Sequence, residues 1–299
     1  MDVSIVIVNY NTSQLIVNCI DSIKEKTHSL TYEIIVVDNH SPNDTLDNLD
    51  GIDGVRLIRA EENLGFGRAN NLGAKYASGK YFFFLNPDTL LVNNAIEVLF
   101  SFLESHDDVG ACGGNLLDSD NEPTHSFRRK MPSISNEIDI YFHNIFSRII
   151  YGRNTQFNYT GYPLKVAYIT GADLMIPRFV WDKVGGFSDD FFMYYEETEL
   201  QYRIKKAGYK IVSVPDAEIT HLEGKSFDIN EAREKRILNG RFVFFHKAYS
   251  NTYNRFSNLI NLFLYRMAIV YCRIFGKKVR YEKYSVRRAL YQEEMKKWA

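Results

Sequence analysis

Short apolar runs alternate with stretches of helical spacing through the N-terminal third of the chain. Val3-Ser4-Ile5-Val6-Ile7-Val8 reads as a buried strand, and Thr12-Ser13 opens a helix with Leu15, Ile16, Cys19, Ile20 and Ile23 on one face. Glu33-Ile34-Ile35-Val36-Val37 is a second strand ending at Asp38-Asn39, and Val55 to Ile58 a short third. A helix from Gly67 to Ala77 leads to the strand Tyr81-Phe82-Phe83-Phe84-Leu85, which Pro87 stops. A helix around Asn94 to Ser105 and a strand around Val109 to Gly113 follow. Strands buried on both faces and joined by helices predict an α/β, doubly wound, mostly parallel central sheet. From Ser119 to Pro163 the periodicity fails, and Tyr, Phe, Asn and Arg dominate. This stretch reads as an insertion over the active face, partly helical around Ile134 to Ile150. Regular structure returns at Val166, and helical spacing between Tyr195 and Ala207.

Candidate chemistry gathers at predicted strand ends, where open α/β sheets bind ligands. Asn9-Tyr10-Asn11 follows the first strand, Asp38-Asn39 the second, and Glu62-Asn63-Leu64-Gly65-Phe66-Gly67-Arg68 opens a helix. Tyr10, Asp38 and Arg68 offer a flat face, an acceptor and a cation, which suits a base, a ribose and a diphosphate. Asn86-Pro87-Asp88 places one carboxylate at a central strand end, able to hold a divalent cation whose other ligands come from substrate oxygens. A turn-forming, capping Asp explains the same position more blandly. Further on come Gly171-Ala172-Asp173 and the aromatic block Phe191 to Tyr195 ahead of Glu196 and Glu197. A first-turn carboxylate is stabilised by the helix dipole and can accept a proton from an incoming hydroxyl. Plain N-terminal helix charge is the competing explanation. The aromatic block fits a pocket wall.

A dinucleotide-binding loop is excluded, because Asn9 to Leu15 contains no glycine and Gly65-x-Gly67 lacks a third one. With 45% hydrophobic and 24% charged residues the composition is that of an ordinary globular chain. Met1-Asp2 runs directly into the first strand, so no secretory signal is expected. Cys19, Cys112 and Cys272 show no metal-ligand spacing, which favours a reducing cytoplasm and argues against zinc.

The ordered set Asn9-Tyr10-Asn11, Asp38-Asn39-x-Ser41, Asn63-x-Gly65, Asn86-Pro87-Asp88, Gly171-Ala172, Gly185-Gly186-Phe187 and Met193-Tyr194-Tyr195-Glu196-Glu197 resembles the family 2 glycosyltransferases of GT-A fold, in particular the rhamnosyltransferase-like branch. The resemblance covers roughly Val3 to Ser226. It implies a catalytic domain over 1–226, with a nucleotide-sugar half (1–115) and an acceptor half (116–226), and a helical extension over 227–299. It also implies inverting transfer from a nucleotide-diphosphate sugar (dTDP- or UDP-linked) to a saccharide or lipid-linked saccharide in surface polysaccharide synthesis, with Mg²⁺ or Mn²⁺. Asn9, Tyr10, Asn11, Asp38, Asn39, Asn63, Gly65, Arg68, Asn86 and Asp88 would then line the donor site, and Asp88 and His221 the metal site. Gly171, Ala172, Asp173, Tyr194 and Tyr195 would shape the acceptor pocket. Glu197 falls where the family's catalytic base stands, with Glu196 as the competing choice because this chain has Glu where the family has Asp. A non-catalytic nucleotide-sugar or glycan binding module on the same fold is the rival reading. No nucleic-acid partner is expected.

The net charge of −1 hides an asymmetry: residues 251–299 carry eleven Lys or Arg against three Glu, leaving +8 there and −9 before it. Asn258 to Phe275 is apolar but interrupted by Arg266 and Arg273, whereas a spanning helix needs about 20 apolar residues. At 100° per residue Arg255, Arg266, Arg273 and Lys277 fall within about 40° of one another. One basic stripe on an apolar helix predicts an interfacial helix on an anionic membrane, with Lys278, Arg280, Lys283, Arg287 and Arg288 facing headgroups. The protein would then sit peripherally on the inner face of the plasma membrane. A core helix or a homodimer contact explains the same pattern.

Overall fold

The structure, a computed structural model, describes residues 1–42, 46, 49, 52–222 and 231–298. Asn43 and Asp44 of the second strand-end segment, Glu223 to Ser226 after His221, and the 226/227 boundary lie outside the described residues. In chain order the elements are β1 (Val3–Asn9), α1 (Ser13–Lys26), β2 (Tyr32–Asp38), β3 (Val55–Arg59), α2 (Phe66–Lys75), β4 (Tyr81–Leu85), β5 (Thr89–Leu91), α3 (Ala95–Glu104) and β6 (Val109–Leu117). Then come β7 (Phe127–Arg128), α4 (Ile134–Tyr141), α5 (Ile145–Tyr151), β8 (Leu164–Lys165), β9 (Tyr168–Ile169), β10 (Asp173–Pro177), α6 (Arg178–Val184), α7 (Glu196–Lys206) and β11 (Lys210–His221). Helices α8 (Glu231–Ala248), α9 (Asn251–Ile274) and α10 (Lys278–Lys297) end the chain.

The main sheet runs β3-β2-β1-β4-β10-β6-β11-β5, with β8 on β11. Its pleat explains why β1 and β4 are apolar on both faces. Val3, Ile5 and Ile7 of β1, with Tyr81, Phe83 and Leu85 of β4, pack beneath α1 and α3. Val6, Val8, Phe82 and Phe84 pack on the other side with Trp181 and Phe187. Parallel register sets Val3 against Tyr81 and Ile7 against Leu85, so the ends of β1, β2 and β4 finish together. One departure from the expected pattern is β10, which runs antiparallel between β4 and β6. A second is the length of β6, which continues past Gly113 to Leu117.

The C-terminal helices close on the body through α8. Phe244 and Phe245 pack with Phe191, Tyr195 and Tyr202, while Phe242 packs with Leu290 and Tyr291 of α10. Glu137 of α4 meets the buried Arg241 of α8 at 2.5 Å and also accepts from Ser257 and Asn261 of α9. Such a buried pair requires its hydrogen bonds to be complete, and here one carboxylate holds three helices together. The inner face of α9 is closed by Asn254, Ser257, Ala268 and Cys272. Its outer face exposes Arg255, Arg266 and Arg273 alongside Leu259 at 66% and Ile274 at 71%. Among the described residues no helix is long and apolar enough to cross a membrane.

Candidate active site

Asp88 lies just beyond β4 and leads into β5, and this short strand pairs antiparallel with β11 so that His221 stands opposite Thr89. The pairing brings His221 Nε2 to 3.3 Å from an Asp88 oxygen and 3.4 Å from the Asn86 amide. The Leu222 N–H fixes the turn by donating to the Asp88 carbonyl at 2.8 Å. One carboxylate oxygen and one imidazole nitrogen at this spacing fit adjacent ligands of a divalent ion. Among the described residues no group of three or more His, Cys, Asp or Glu could hold a metal by itself. The pair therefore suits an ion whose remaining ligands are phosphate oxygens and water.

His221 and Asn86 open on a pocket of about 200 Å³, whose wall also includes Gly171, Ala172, Tyr194, Glu196 and Glu197. Glu197 Oε1 accepts the Thr198 hydroxyl at 2.8 Å. Glu196 is 4% exposed, and its Oε2 is buried without a hydrogen-bond partner. Burial, and then the neighbouring Glu197 charge, push the Glu196 carboxyl well above the usual carboxylate range. Burial also raises Glu197, opposed by hydrogen bonds from Thr198 and the helix amides. Burial thus disfavours ionisation of both carboxylates, and a charge on Glu197 further disfavours one on Glu196.

The wall beside them is strained. Tyr194 and Tyr195 have φ of 73° and 72°, a left-handed conformation that costs non-glycine residues about 1–3 kcal/mol each. Glycines press on this segment from two sides. Gly65 at φ 77° lies so near that an added Cβ would stand 2.0 Å from the Phe192 carbonyl oxygen, which accepts the Phe66 N–H at 2.9 Å. On α8, a Cβ at Gly240 would stand 2.4 Å from the Tyr194 carbonyl.

The remaining strand-end residues form the framework behind this wall. Asn9 is fully buried, donating to Asp38 and Ser41 and accepting from Thr12. Asn39 donates to Asn63 and accepts from the Leu64 N–H, and Asn63 accepts from the Gly65 N–H. The Asn11 N–H donates to Ser41 Oγ, and Tyr10 stands 46% exposed above the β1 end.

Three candidate site residues, Arg68 from the donor set and Asp173 and Tyr195 from the acceptor set, do not line this pocket. Arg68 donates through Nε to the Leu64 carbonyl and lines a separate cleft with Trp181, Asp182 and Asp189, because its position on α2 faces α6. Asp173 is fully buried in β10, where its carboxylate accepts the Gly114 N–H; burial drives its pKa far upward. Tyr195 turns back from the pocket to pack on Phe244 and line an inner chamber with Glu137 and Arg241. Phe66 and Met193, from the two loop segments marked in the sequence, complete the pocket wall with His125 and Thr170, which were not singled out. His125 comes from the aperiodic stretch, where only its chemistry marked it.

Comparisons with known proteins fit this geometry. The model of the family described as "Glycosyl transferase family 2" matches residues 4–171. An O-antigen biosynthesis protein of Myxococcus xanthus is 25% identical over 75% of this chain and 17% of its own length. An N-acetylglucosaminyl-diphospho-decaprenol L-rhamnosyltransferase of Mycobacterium tuberculosis is 28% identical over 64% of this chain and 67% of its own. This chain thus spans a minor part of the first relative. In structure, a mannosyltransferase of Pyrobaculum calidifontis solved with GDP-Man and Mn²⁺ superposes with a TM-score of 0.59 at 15% identity, over 98% of this chain and 84% of that one. That likeness shows the fold, a GT-A fold with helices after its central sheet.

Proposed function

Because this chain belongs to glycosyl transferase family 2, we propose that it is an inverting, metal-dependent hexosyltransferase using a nucleotide-diphosphate sugar. The observation that carries the reading is the meeting of the Asp88–His221 pair with Glu196 and Glu197 at one strand-end pocket. Asn9, Asp38, Asn39 and Asn63 hold the donor-side loops in place through side-chain hydrogen bonds, with Tyr10 presenting its ring to the nucleoside. Asp88 and His221 would hold Mg²⁺ or Mn²⁺, which when bound supplies charge neutralisation for the leaving diphosphate. Glu197 takes the proton of the acceptor hydroxyl while that oxygen attacks the anomeric carbon from the face opposite the diphosphate. The configuration therefore inverts. Burial and the neighbouring Glu197 charge both disfavour a charge on Glu196, so the two would not be ionised together.

The relative named as a rhamnosyltransferase supports dTDP-rhamnose as the first donor to try and a lipid-linked saccharide as the acceptor class. The basic, apolar outer face of α9 supports contact with an anionic membrane surface. Transfer kinetics of Glu197→Gln and Glu196→Gln test the assignment. The Glu197 variant should lose roughly 10²–10⁴-fold in turnover with donor affinity kept. Near-parental turnover would refute it, and an inactive Glu196 variant with intact donor binding would move the base one residue back.

A further inference from the structure

His125 stands between two cavities. One is the strand-end pocket with Glu197 and His221; the other is a cleft of about 640 Å³ bounded by Arg148, Arg153, Gln156, Phe157 and Tyr159. The Nε2 atom of His125 is buried and has no hydrogen-bond partner. A buried polar atom of this kind calls for one, and a ligand reaching from one cavity to the other would supply it. The ring is neutral, since burial and the nearby Arg128 push its pKa down to about 3. A neutral imidazole can meet a hydroxyl in either tautomer.

The cleft is cationic. No Asp or Glu occurs between Asp139 and Asp173, and neither Arg148 nor Arg153 has a carboxylate partner among the described residues. The Arg153 guanidinium lies 4.4 Å from the Tyr159 ring centre, and Phe157 stacks obliquely on the same ring at 4.7 Å. Two unpaired guanidiniums suit phosphate oxygens, and a flat aromatic shelf suits a sugar face. On the same helix as Arg148, Ile149 and Ile150 are 77% and 63% exposed, which suits an apolar chain leaving the phosphate.

We propose that this cleft is the acceptor subsite and takes a lipid-linked saccharide diphosphate, with the diphosphate on Arg148 and Arg153 and the sugar passing His125 toward Glu197. The proposal rests on the transferase reading only for the direction in which the sugar points. The test is calorimetry of the full chain with three probes: a decyl-diphosphate N-acetylhexosamine, the decyl glycoside lacking phosphate, and inorganic pyrophosphate. dTDP and UDP, each with Mn²⁺, are measured beside them. The diphosphate-linked probe should bind at least tenfold more tightly than either control. Arg148→Glu with Arg153→Glu should remove that advantage, and His125→Ala should weaken the probe without altering pyrophosphate binding. Both double-mutant positions are exposed, so folding should be kept, and UDP–Mn²⁺ affinity should not change. Unaltered probe affinity in the arginine variant would overturn the subsite and leave the transferase reading standing. Equal binding of pyrophosphate and probe would also overturn it, in favour of a general phosphate site. A parent that binds the probe but neither dTDP nor UDP would keep the cleft as a diphosphate-sugar site and remove the transferase reading.

Discussion

Replacing Gly65 by Ala should damage the pocket wall far more than the same change at Gly185. Gly65 has φ 77° and ψ −178°, a region open almost only to glycine, and forcing a side chain there costs about 1–3 kcal/mol. Its added Cβ would stand 2.0 Å from the Phe192 oxygen, where ordinary contact begins at 3.4 Å. Relieving that overlap costs about 1–3 kcal/mol more. Moving the carbonyl also breaks its bond from the Phe66 N–H, worth about 0.5–1.5 kcal/mol. The whole is ~2.5–7.5 kcal/mol, a large share of the ~5–15 kcal/mol that a folded domain has in hand. Gly185 also has a left-handed φ, 85°, but nothing within 4 Å of its added Cβ, so Ala there costs only about 1–2 kcal/mol of backbone strain. Equilibrium urea unfolding of both variants reads the difference directly when the m-values agree. The Gly65 variant should be at least ~1.5 kcal/mol the less stable, and two variants within ~0.5 kcal/mol of each other would refute the clamp.

Asp88→Asn should weaken the Mn²⁺-dependent part of UDP binding with little change in thermal stability; equal metal enhancement in mutant and parent by calorimetry would remove Asp88 from the metal site. Glu196 carries a raised folded-state pKa, so its contribution to stability is fullest below the ordinary value of 4.5 and is lost as pH rises through the folded value. Urea melts at pH 5 and pH 8 should therefore show Glu196→Gln gaining on the parent as pH rises, by at most about 1.4 kcal/mol per unit, and a constant gap would contradict the burial argument. Neutralising Arg273, Lys278 and Arg280 to Gln should reduce binding to anionic vesicles about 100-fold, at about 1 kcal/mol per charge, while the circular dichroism stays unchanged. Undiminished binding would defeat the membrane contact. Substitution is the right tool there, because deleting α10 would strip Leu290 and Tyr291 from Phe242.

The parallel half of the sheet was legible because β1 and β4 carry apolar residues on both sides of the pleat, and only a doubly covered strand does that. The direction of β10 was not, since five buried residues read alike in either sense. Asp88, Glu196 and Glu197 were visible as carboxylates next to structural breaks. The directions of Arg68 and Tyr195 were not legible, because sequence proximity to a loop does not say which way a side chain leaves it. On α2 the helical turn aims Arg68 toward α6, and the left-handed φ at Tyr194 and Tyr195 reverses the alternation that a strand would have given. Asp173 looked like chemistry because it is charged, yet β10 carries it into the interior. His125 had neither periodicity nor a strand end to mark it.

The Glu137–Arg241 pair has a consequence for anyone recombining such chains. The insertion grips α8 and α9 through one carboxylate, while the family match ends at residue 171, well before those helices. Transplanting residues 119–163 alone into a related scaffold would carry Glu137 without its guanidinium and leave a buried charge stranded, a loss of about 3–5 kcal/mol. Residues 119–163 and the C-terminal helices are therefore one structural unit split across the sequence, and a chimera that exchanges one piece has to exchange the other with it.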